Sequence, residues 1–180
     1  MGLSSLIPST PKELILFPTR LAIIVYLLNL AYTFRLHAIN DYGRVIHEFD
    51  PWFNYRATEY LHSNGLAKFF TWFDYQSWYP LGRPVGTTIY PGLQMTSCFI
   101  CDVLSMLSKL SPLLSGLEMS LNDVCCFVPA WFGAVASGVT GLFTFEISGS
   151  VDGAIAALAV MGIIPAHLMR SIGGGYDNER

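Results

Sequence analysis

The sequence predicts an all-α polytopic membrane protein with three transmembrane helices and a large aromatic-rich loop after the first of them. Hydrophobic residues make up 52% of the 180 residues and charged residues only 13%, against roughly 25% charged residues in an ordinary soluble domain. The mean hydropathy is accordingly positive, at +0.44. Three apolar stretches also approach or reach the length of about 20 residues that a helix needs to cross a bilayer.

The first apolar stretch runs from Phe17 to Phe34. Arg20 lies near its start and Arg35 follows its end, where long cationic side chains can extend to the membrane interface. No small-residue cleavage site follows this stretch, so we expect residues 17–38 to form a retained signal anchor and first transmembrane helix.

The other two apolar stretches are Val124–Phe145, which carries no charge, and the shorter Gly153–Met169, which contains Pro165. The second is rich in alanine and glycine, and small residues let membrane helices pack closely. The polar turn Ile147–Asp152 between them predicts an antiparallel helical hairpin over residues 122–169.

The segment between the first helix and the hairpin, residues 39–121, is dense in tryptophan, tyrosine and phenylalanine. Such rings favour the membrane–water interface, which predicts a large external loop with amphipathic interfacial helices. One part of it, Ile89–Leu114, is apolar but is interrupted by Pro91 and Asp102, so composition alone leaves open whether it spans the membrane.

Composition also excludes some functions. The net charge of −3 provides no basic stripe for a phosphate backbone, so no nucleic-acid partner is expected. The four cysteines lie in apolar runs, where thiols usually pack as small hydrophobic groups. Cys98 and Cys101 have CxxC spacing, but no second pair follows at the distance typical of zinc sites.

Two acidic clusters carry the candidate chemistry. The first surrounds Asp50, and its structural interpretation is that Asp50-Pro51 opens a helix that ends near Asn64-Gly65. The second, Ser171–Glu179, contains Asp177 after three glycines, and such a segment is often only a loop.

Taken together, the two clusters put carboxylates at the mouths of membrane helices, with Arg170 seven residues before Asp177. Charged groups at membrane depth are costly and indicate function. Carboxylate oxygens suit a hard divalent cation such as Mg²⁺ or Mn²⁺, which commonly also binds phosphate oxygens.

From about Thr19 onwards, the sequence resembles the catalytic subunits of eukaryotic oligosaccharyltransferases, a family of the C-type glycosyltransferase superfamily. Four segments carry the resemblance: HEFDPWFNYRATEYL, WFDYQSWYPLGRPVGTTIYPGLQMTS, LNDVCCFVPAWF and MRSIGGGYDNE. The resemblance implies that Asp50 binds both the metal and the acceptor amide, that Asp177 and Glu179 complete a Mg²⁺ or Mn²⁺ site, and that Arg170 faces the diphosphate. Asp50 and Arg170 are thus the implied catalytic and substrate-binding residues.

The implied reaction moves a preassembled oligosaccharide from dolichyl diphosphate to the asparagine of an Asn-x-Ser/Thr sequon, with inversion at the sugar. Implied partners are this lipid-linked donor, the acceptor polypeptide, membrane lipid and other oligosaccharyltransferase subunits. The implied location is the endoplasmic reticulum membrane, multi-pass, with a lumenal active site. A carboxylate with a pKa near ~3.9 is too weak to deprotonate an amide, so Asp50 is expected to hydrogen-bond the amide and turn its C–N bond out of conjugation.

The number of spans between the two acidic clusters also favours three transmembrane helices. If Asp50 and Asp177 share one site, they lie on the same side of the membrane, and an even number of spans separates them. We therefore expect Ile89–Leu114 to lie at the lumenal interface and residues 1–16 to form a cytoplasmic tail.

Residues 170–180 are expected to begin a second external loop. Members of the family have a third carboxylate, further membrane helices and a soluble C-terminal domain after this point, so we expect a fragment that is inactive alone. Two other classes stay open: another polyprenyl-phosphate-dependent glycosyltransferase and a non-catalytic membrane scaffold.

Overall fold

The computed structural model describes residues 11–110 and 112–178, and it is mainly helical. Two compact units divide the chain: one contains the residues up to Asp41 and Pro129–Gly173, and the other contains Tyr42–Val128 and the residues from Gly174 onwards. The helices are α1 (Pro11–Arg35), α2 (His37–Tyr42), α3 (Phe49–Phe70), α4 (Val85–Thr88), α5 (Gly92–Leu110), a 3₁₀ helix (Pro112–Leu117), α6 (Leu121–Ser148), α7 (Val151–Ile163) and α8 (Pro165–Arg170). Two short strands are β1 (Phe73–Asp74) and β2 (Arg83–Pro84).

In the first unit, α1 and α7 run in the same direction. Arg20 near the start of α1 pairs with Asp152 at the start of α7, through bonds of 2.9 and 2.8 Å. Towards the other ends of both helices, Ala31 packs against Gly162. The N-terminal ends of the two helices therefore contact each other, and so do their C-terminal ends, which means that the helices are parallel.

Helix α6 runs antiparallel to α1 and α7. Its glycines approach α1 in reverse order, Gly138 beside Leu28 and then the earlier Gly133 beside Arg35. Gly141 lies against the start of α7, where an added Cβ would stand 3.1 Å from the carbonyl oxygen of Ala154. Small residues at these contacts allow the close helix packing that membrane bundles use.

Two of the helices are long and apolar enough to cross a membrane, Ile15–Arg35 and Leu121–Ser148. Within the described part of the chain, these helices contain the apolar stretches Phe17–Phe34 and Val124–Phe145. The first helix ends at Arg35, three residues before the predicted end at residue 38. The third prediction, one helix over Gly153–Met169, differs from the structure, because α7 ends at Ile163 and α8 starts at Pro165. Proline has no N–H to continue the helical hydrogen bonding and disfavours helical geometry in the residue before it. At 1.5 Å per residue, the 13 residues of α7 cover roughly 20 Å, against ~30 Å for the hydrocarbon core of a bilayer.

The second unit is built around α3. This helix is interrupted at Gly65, whose φ of 77° and ψ of 169° are not helical, close to the end predicted at Asn64-Gly65. Its buried face packs on α4 and α5 in one hydrophobic cluster. The buried members of this cluster are Ala57, Leu61, Phe69, Val85 and Ile89.

The β1–β2 hairpin is tied to α3 by a nearly fully buried carboxylate. Arg56 of α3 donates to both oxygens of Asp74, at 2.9 and 3.2 Å. The main-chain N–H of Gln76 and the hydroxyl of Ser77 also donate to Asp74, at 3.0 and 2.7 Å. Burial by itself raises the pKa of Asp74, but the hydrogen bonds from Ser77 and Gln76 and the nearby Arg56 bring this pKa below its ordinary value.

Asp74→Asn is expected to lower the free energy of unfolding by about 2 kcal/mol at neutral pH, because it removes the buried negative charge that pairs with Arg56 and replaces one acceptor oxygen by a donor amide group. The native carboxylate stays ionised to lower pH than in the unfolded chain, which therefore binds more protons in acid. Its stabilisation is complete above the ordinary carboxyl pKa and is lost as the pH falls through the lowered one. Thermal unfolding in detergent should thus show a difference between parent and variant that shrinks below the ordinary carboxyl pKa.

Asp152→Asn is the matched control, since Asp152 is also bound by an arginine through two bonds but its side chain is 73% exposed. An exposed pair contributes about 0–1 kcal/mol. A loss for Asp152→Asn equal to that for Asp74→Asn would contradict the role assigned to burial.

Candidate functional site

The segment before α3 is held against the first turn of α6. Arg44 forms an ion pair with Asp123 at 3.1 Å, and the side chain of Asn122 donates to the carbonyl oxygen of Arg44 at 3.0 Å. Arg44 also lies over the ring of Phe127. These contacts set the position of the chain a few residues before Asp50.

Gly174 joins the two acidic clusters through its main chain. Its N–H donates to the carbonyl oxygen of Cys126 at 2.9 Å, and its carbonyl oxygen accepts from the N–H of His47 at 3.0 Å. Gly174 has a φ of +85°, and an added Cβ would overlap the carbonyl oxygen of Val45. Only glycine meets both conditions without strain, so the second acidic cluster is placed directly beside the first.

Asp50 lies inside the first turn of α3, because the helix begins at Phe49 and Glu48 occupies the N-cap position. The structural interpretation of Asp50 as the N-cap is therefore off by two residues. In the first turn, a carboxylate still interacts favourably with the helix dipole. Asp50 is exposed, and its carboxylate has no hydrogen bond or ion pair with the other residues that the structure describes.

Asn54, one turn after Asp50, connects the two predicted carboxylate positions. Its side-chain amide nitrogen donates to the main-chain carbonyl oxygen of Asp50 at 3.1 Å and to Oδ1 of Asp177 at 3.2 Å. The Asp177 side chain is thereby brought to the first turn of α3, beside the residue with which it was predicted to act.

Tyr176 anchors the backbone next to Asp177. Its side chain is fully buried, with its hydroxyl 2.8 Å from Thr58 of α3 and 2.8 Å from Ser97 of α5. Burial raises the pKa of this hydroxyl, so it remains a neutral hydrogen-bonding group. Both residues of the Tyr176-Asp177 pair are thus held by polar side chains of α3.

The other predicted site residues are placed less completely. Arg170 is exposed at the last position of α8, which belongs to the first unit, and its role stays a prediction. Glu179 lies outside the described residues. Within 11–110 and 112–178, no cluster of three or more metal-ligating side chains occurs. The oxygen donors of Asp50 and Asp177 fit a hard divalent cation in type, and Glu179 is the third ligand that the sequence predicts.

Several residues that build the site were not singled out in the sequence. They are four polar side chains: Asn54, Thr58 and Ser97, which bind Tyr176 or Asp177, and Gln94, which binds Asn54. Gly174 belongs to the three-glycine run already noted in the sequence. The spacing carries a signal, because Asn54 and Thr58 are four residues apart and Gln94 and Ser97 three apart, which places each pair on one helix face.

The chain matches the family model described as "Oligosaccharyl transferase STT3, N-terminal" over residues 18–180. The chain belongs to this family. Among curated members, it is 43% identical over 150 residues to the dolichyl-diphosphooligosaccharide–protein glycosyltransferase subunit STT3A of rice, covering 83% of this chain and 18% of that one. It is 42% identical over 160 residues to the STT3 subunit of Saccharomyces cerevisiae, covering 89% and 21%. The STT3 subunit of Dictyostelium discoideum is 39% identical over 163 residues, covering 91% and 22%.

The chain therefore spans about a fifth of the length of these STT3 relatives. The region that matches the STT3 family contains both acidic clusters and all the residues that hold Asp177. Membership agrees with the resemblance that the sequence motifs indicated.

Gly174→Ala is expected to destabilise the junction of the two acidic clusters. The strained φ costs about 1–2 kcal/mol, and the overlap with Val45 adds about 1–3 kcal/mol. We expect a clear fall in the midpoint of thermal unfolding in detergent, and faster proteolysis between residues 171 and 178.

Gly43→Ala separates the two effects, because Gly43 has nearly the same φ, +84°, but open space where the Cβ would lie. It should show the cost of φ alone. Equal losses in the two variants would mean that the close approach of Gly174 to Val45 does not matter.

Proposed function

We propose that this chain is the N-terminal, membrane-embedded part of an oligosaccharyltransferase catalytic subunit. The complete subunit would transfer a preassembled oligosaccharide from dolichyl diphosphate to asparagine in Asn-x-Ser/Thr sequons, in the endoplasmic reticulum membrane and with other subunits of the enzyme. The observation that carries the proposal is the junction of the two acidic clusters by Gly174 and Asn54. It occurs in a chain whose family members are named as glycosyltransferase subunits.

The chemistry requires an acceptor for the N–H groups of an amide nucleophile. An amide nitrogen is barely basic because its lone pair is delocalised into the carbonyl group. The Asp50 carboxylate is exposed. An ionised carboxylate accepts hydrogen bonds and cannot donate them. Hydrogen bonds from the acceptor amide to Asp50 would turn the amide C–N bond out of conjugation. They would also orient the amide nitrogen towards the sugar.

The diphosphate leaving group requires positive charge. Asp50, Asp177 and Glu179 would hold a Mg²⁺ or Mn²⁺ ion, which supplies charge neutralisation for the departing diphosphate. Arg170 would add a guanidinium group to bind the diphosphate. The planar guanidinium can donate two parallel hydrogen bonds to a phosphate group. The neutral amide of Asn54 supports this assignment, because it orients Asp177 without neutralising it.

The proposed topology has three spans, with α1 and α7 crossing in the same direction and α6 returning between them. The parallel arrangement of α1 and α7, and the Arg20–Asp152 pair at their beginnings, support this topology. The third crossing would consist of α7 extended by α8, since residues 151–170 together have the length of a span. Residues 39–121 and the C-terminal residues would then be lumenal.

Exposed rings support an interfacial position for the lumenal loop. Between Asp74 and Arg83 the chain carries no charged residue, and its large side chains are mostly exposed, such as Trp78 at 69% and Tyr79 at 84%. Helix α5 exposes Met95, Phe99, Met106 and Leu110 at helical spacing. Asp102, whose side chain is 71% exposed, lies between them on the same face. Amphipathic rings and largely apolar helix faces of this kind favour the headgroup region of a bilayer.

A chimera tests the reaction. The matching N-terminal region of the Saccharomyces cerevisiae relative is replaced by this chain, and membranes are incubated with a labelled sequon peptide and lipid-linked oligosaccharide. Glycopeptide should form, and Asp50→Asn should reduce kcat/KM by about 100-fold or more, since a group that contacts the reacting amide supplies several kcal/mol of transition-state binding.

Stability provides the control for Asp50→Asn. Loss of a first-turn carboxylate costs about 0.3–1 kcal/mol through the helix dipole, so thermal unfolding should change little. Near-normal glycopeptide formation by Asp50→Asn would return the residue to a structural role, and a different sugar product would favour another polyprenyl-phosphate-dependent glycosyltransferase.

Two single substitutions test the topology, because the parent chain has no sequon of its own. Leu66→Thr creates a sequon at Asn64 in the proposed lumenal loop, and Ser148→Asn creates one in the proposed cytoplasmic turn. Expressed in microsomes, the first should gain one endoglycosidase-sensitive glycan and the second none. Glycosylation of the Ser148→Asn chain would overturn the three-span arrangement.

A further inference from the structure

A chain of buried amides leads from α5 to Asp177. Gln94 of α5 donates from Nε2 to Oδ1 of Asn54 at 3.1 Å, and Asn54 donates from Nδ2 to Asp177 at 3.2 Å. The Asn54 and Gln94 side chains are 2% and 0% exposed. Because both residues are buried, the orientation of each amide is set by its neighbours.

The neighbours allow one orientation of the Asn54 amide. The Asp50 carbonyl oxygen and the ionised Asp177 carboxylate are both acceptors, so the nitrogen of Asn54 must face them. The oxygen of Asn54 then faces α5, where Gln94 meets it with an N–H. A Gln94 amide turned the other way would place two carbonyl oxygens in contact.

This arrangement explains an otherwise costly feature of Gln94. Its Oε1 is buried and has no hydrogen-bond partner among the described residues. Buried polar atoms are normally paired, and exceptions require an explanation. Here Gln94 must turn its amide nitrogen towards Asn54, which in turn donates to Asp177. In that orientation Oε1 of Gln94 points away from Asn54 and stays unpaired.

We propose that Gln94 and Asn54 are positioning residues that aim the Asp177 carboxylate at the reaction site. Both are neutral amides, so the hydrogen bonds that they supply orient the carboxylate without placing a positive charge beside it. The role of Asp177 in this inference rests on the proposed function. The chain of hydrogen bonds from Gln94 to Asp177 does not depend on that function.

Unfolding of the 180-residue chain tests the hydrogen bonds without any activity assay. Asn54→Asp places a carboxylate against Asp177 and should lower the midpoint of thermal unfolding by several degrees. The exchange Asn54→Asp with Asp177→Asn restores one donor facing one acceptor, and Gln94 can still donate to residue 54. It should recover part of the loss, because the carbonyl oxygen of Asp50 still faces an acceptor instead of a donor.

Asn64→Asp is the matched control for Asn54→Asp. Asn64 lies on the same helix and also donates to the carbonyl oxygen four residues earlier, at 3.1 Å, but it is exposed. Its midpoint should stay close to that of the parent. Failure of the exchange to recover stability, or an equal loss for Asn64→Asp, would overturn the chain of hydrogen bonds.

Glycopeptide kinetics in the chimera test the positioning role. Gln94→Met keeps the volume but removes the donor, and Gln94→Glu presents only acceptors when ionised, which forces the Asn54 oxygen towards Asp177. We expect kcat to fall roughly tenfold for Gln94→Met, the effect of losing one buried hydrogen bond, and further for Gln94→Glu. The KM for the acceptor peptide should change less than kcat.

The two assays fail in different ways. An inactive chimera carrying the parent chain, with stability recovered by the exchange, would contradict the proposed function and leave the hydrogen-bond chain intact. An active chimera in which Gln94→Glu matches or exceeds Gln94→Met, or in which only KM changes, would overturn the positioning role alone.

Discussion

The site depends on one backbone position, Gly174, where two main-chain hydrogen bonds meet in a conformation that side-chain-bearing residues rarely adopt. One bond reaches His47, three residues before Asp50, and the other reaches Cys126 near the start of α6. The carbonyl oxygen of Val45 occupies the space where a Cβ of residue 174 would lie. The backbone at Gly174 therefore approaches Val45 more closely than any residue with a side chain would allow. The acidic residue three positions later is carried with it to the first turn of α3.

Beyond this junction, polar side chains of α3 and α5 hold the Tyr176-Asp177 pair. Thr58 and Ser97 bind the hydroxyl of Tyr176, and Asn54 binds Asp177. In a low-dielectric interior, hydrogen bonds are strong and unpaired polar groups are costly, so satisfied networks are rigid.

The two units use different physical means. In the first, glycines and alanines bring α1, α6 and α7 together, and the Arg20–Asp152 pair adds a polar contact at the beginning of α1 and α7. In the second, the hydrophobic cluster and the Arg56–Asp74 contact hold α4 and the β1–β2 hairpin against α3, the helix that carries Asp50. The first arrangement is the close backbone packing that membrane helices use.

Local properties let the sequence alone determine much of this protein: the two long apolar helices from length and hydropathy, the break near Gly65 from its turn residues, and the acidic motifs from their resemblance to a family. The division of the third apolar stretch at Ile164 followed from Pro165, a signal present in the sequence but outweighed by hydropathy. Only the tertiary structure decided that Asp177 lies on Asn54 and that Gln94 orients this amide. These contacts join residues 123 and 40 positions apart, and such pairing depends on the packing of α3 against α5 and on the close approach at Gly174, neither of which is encoded in local spacing or composition.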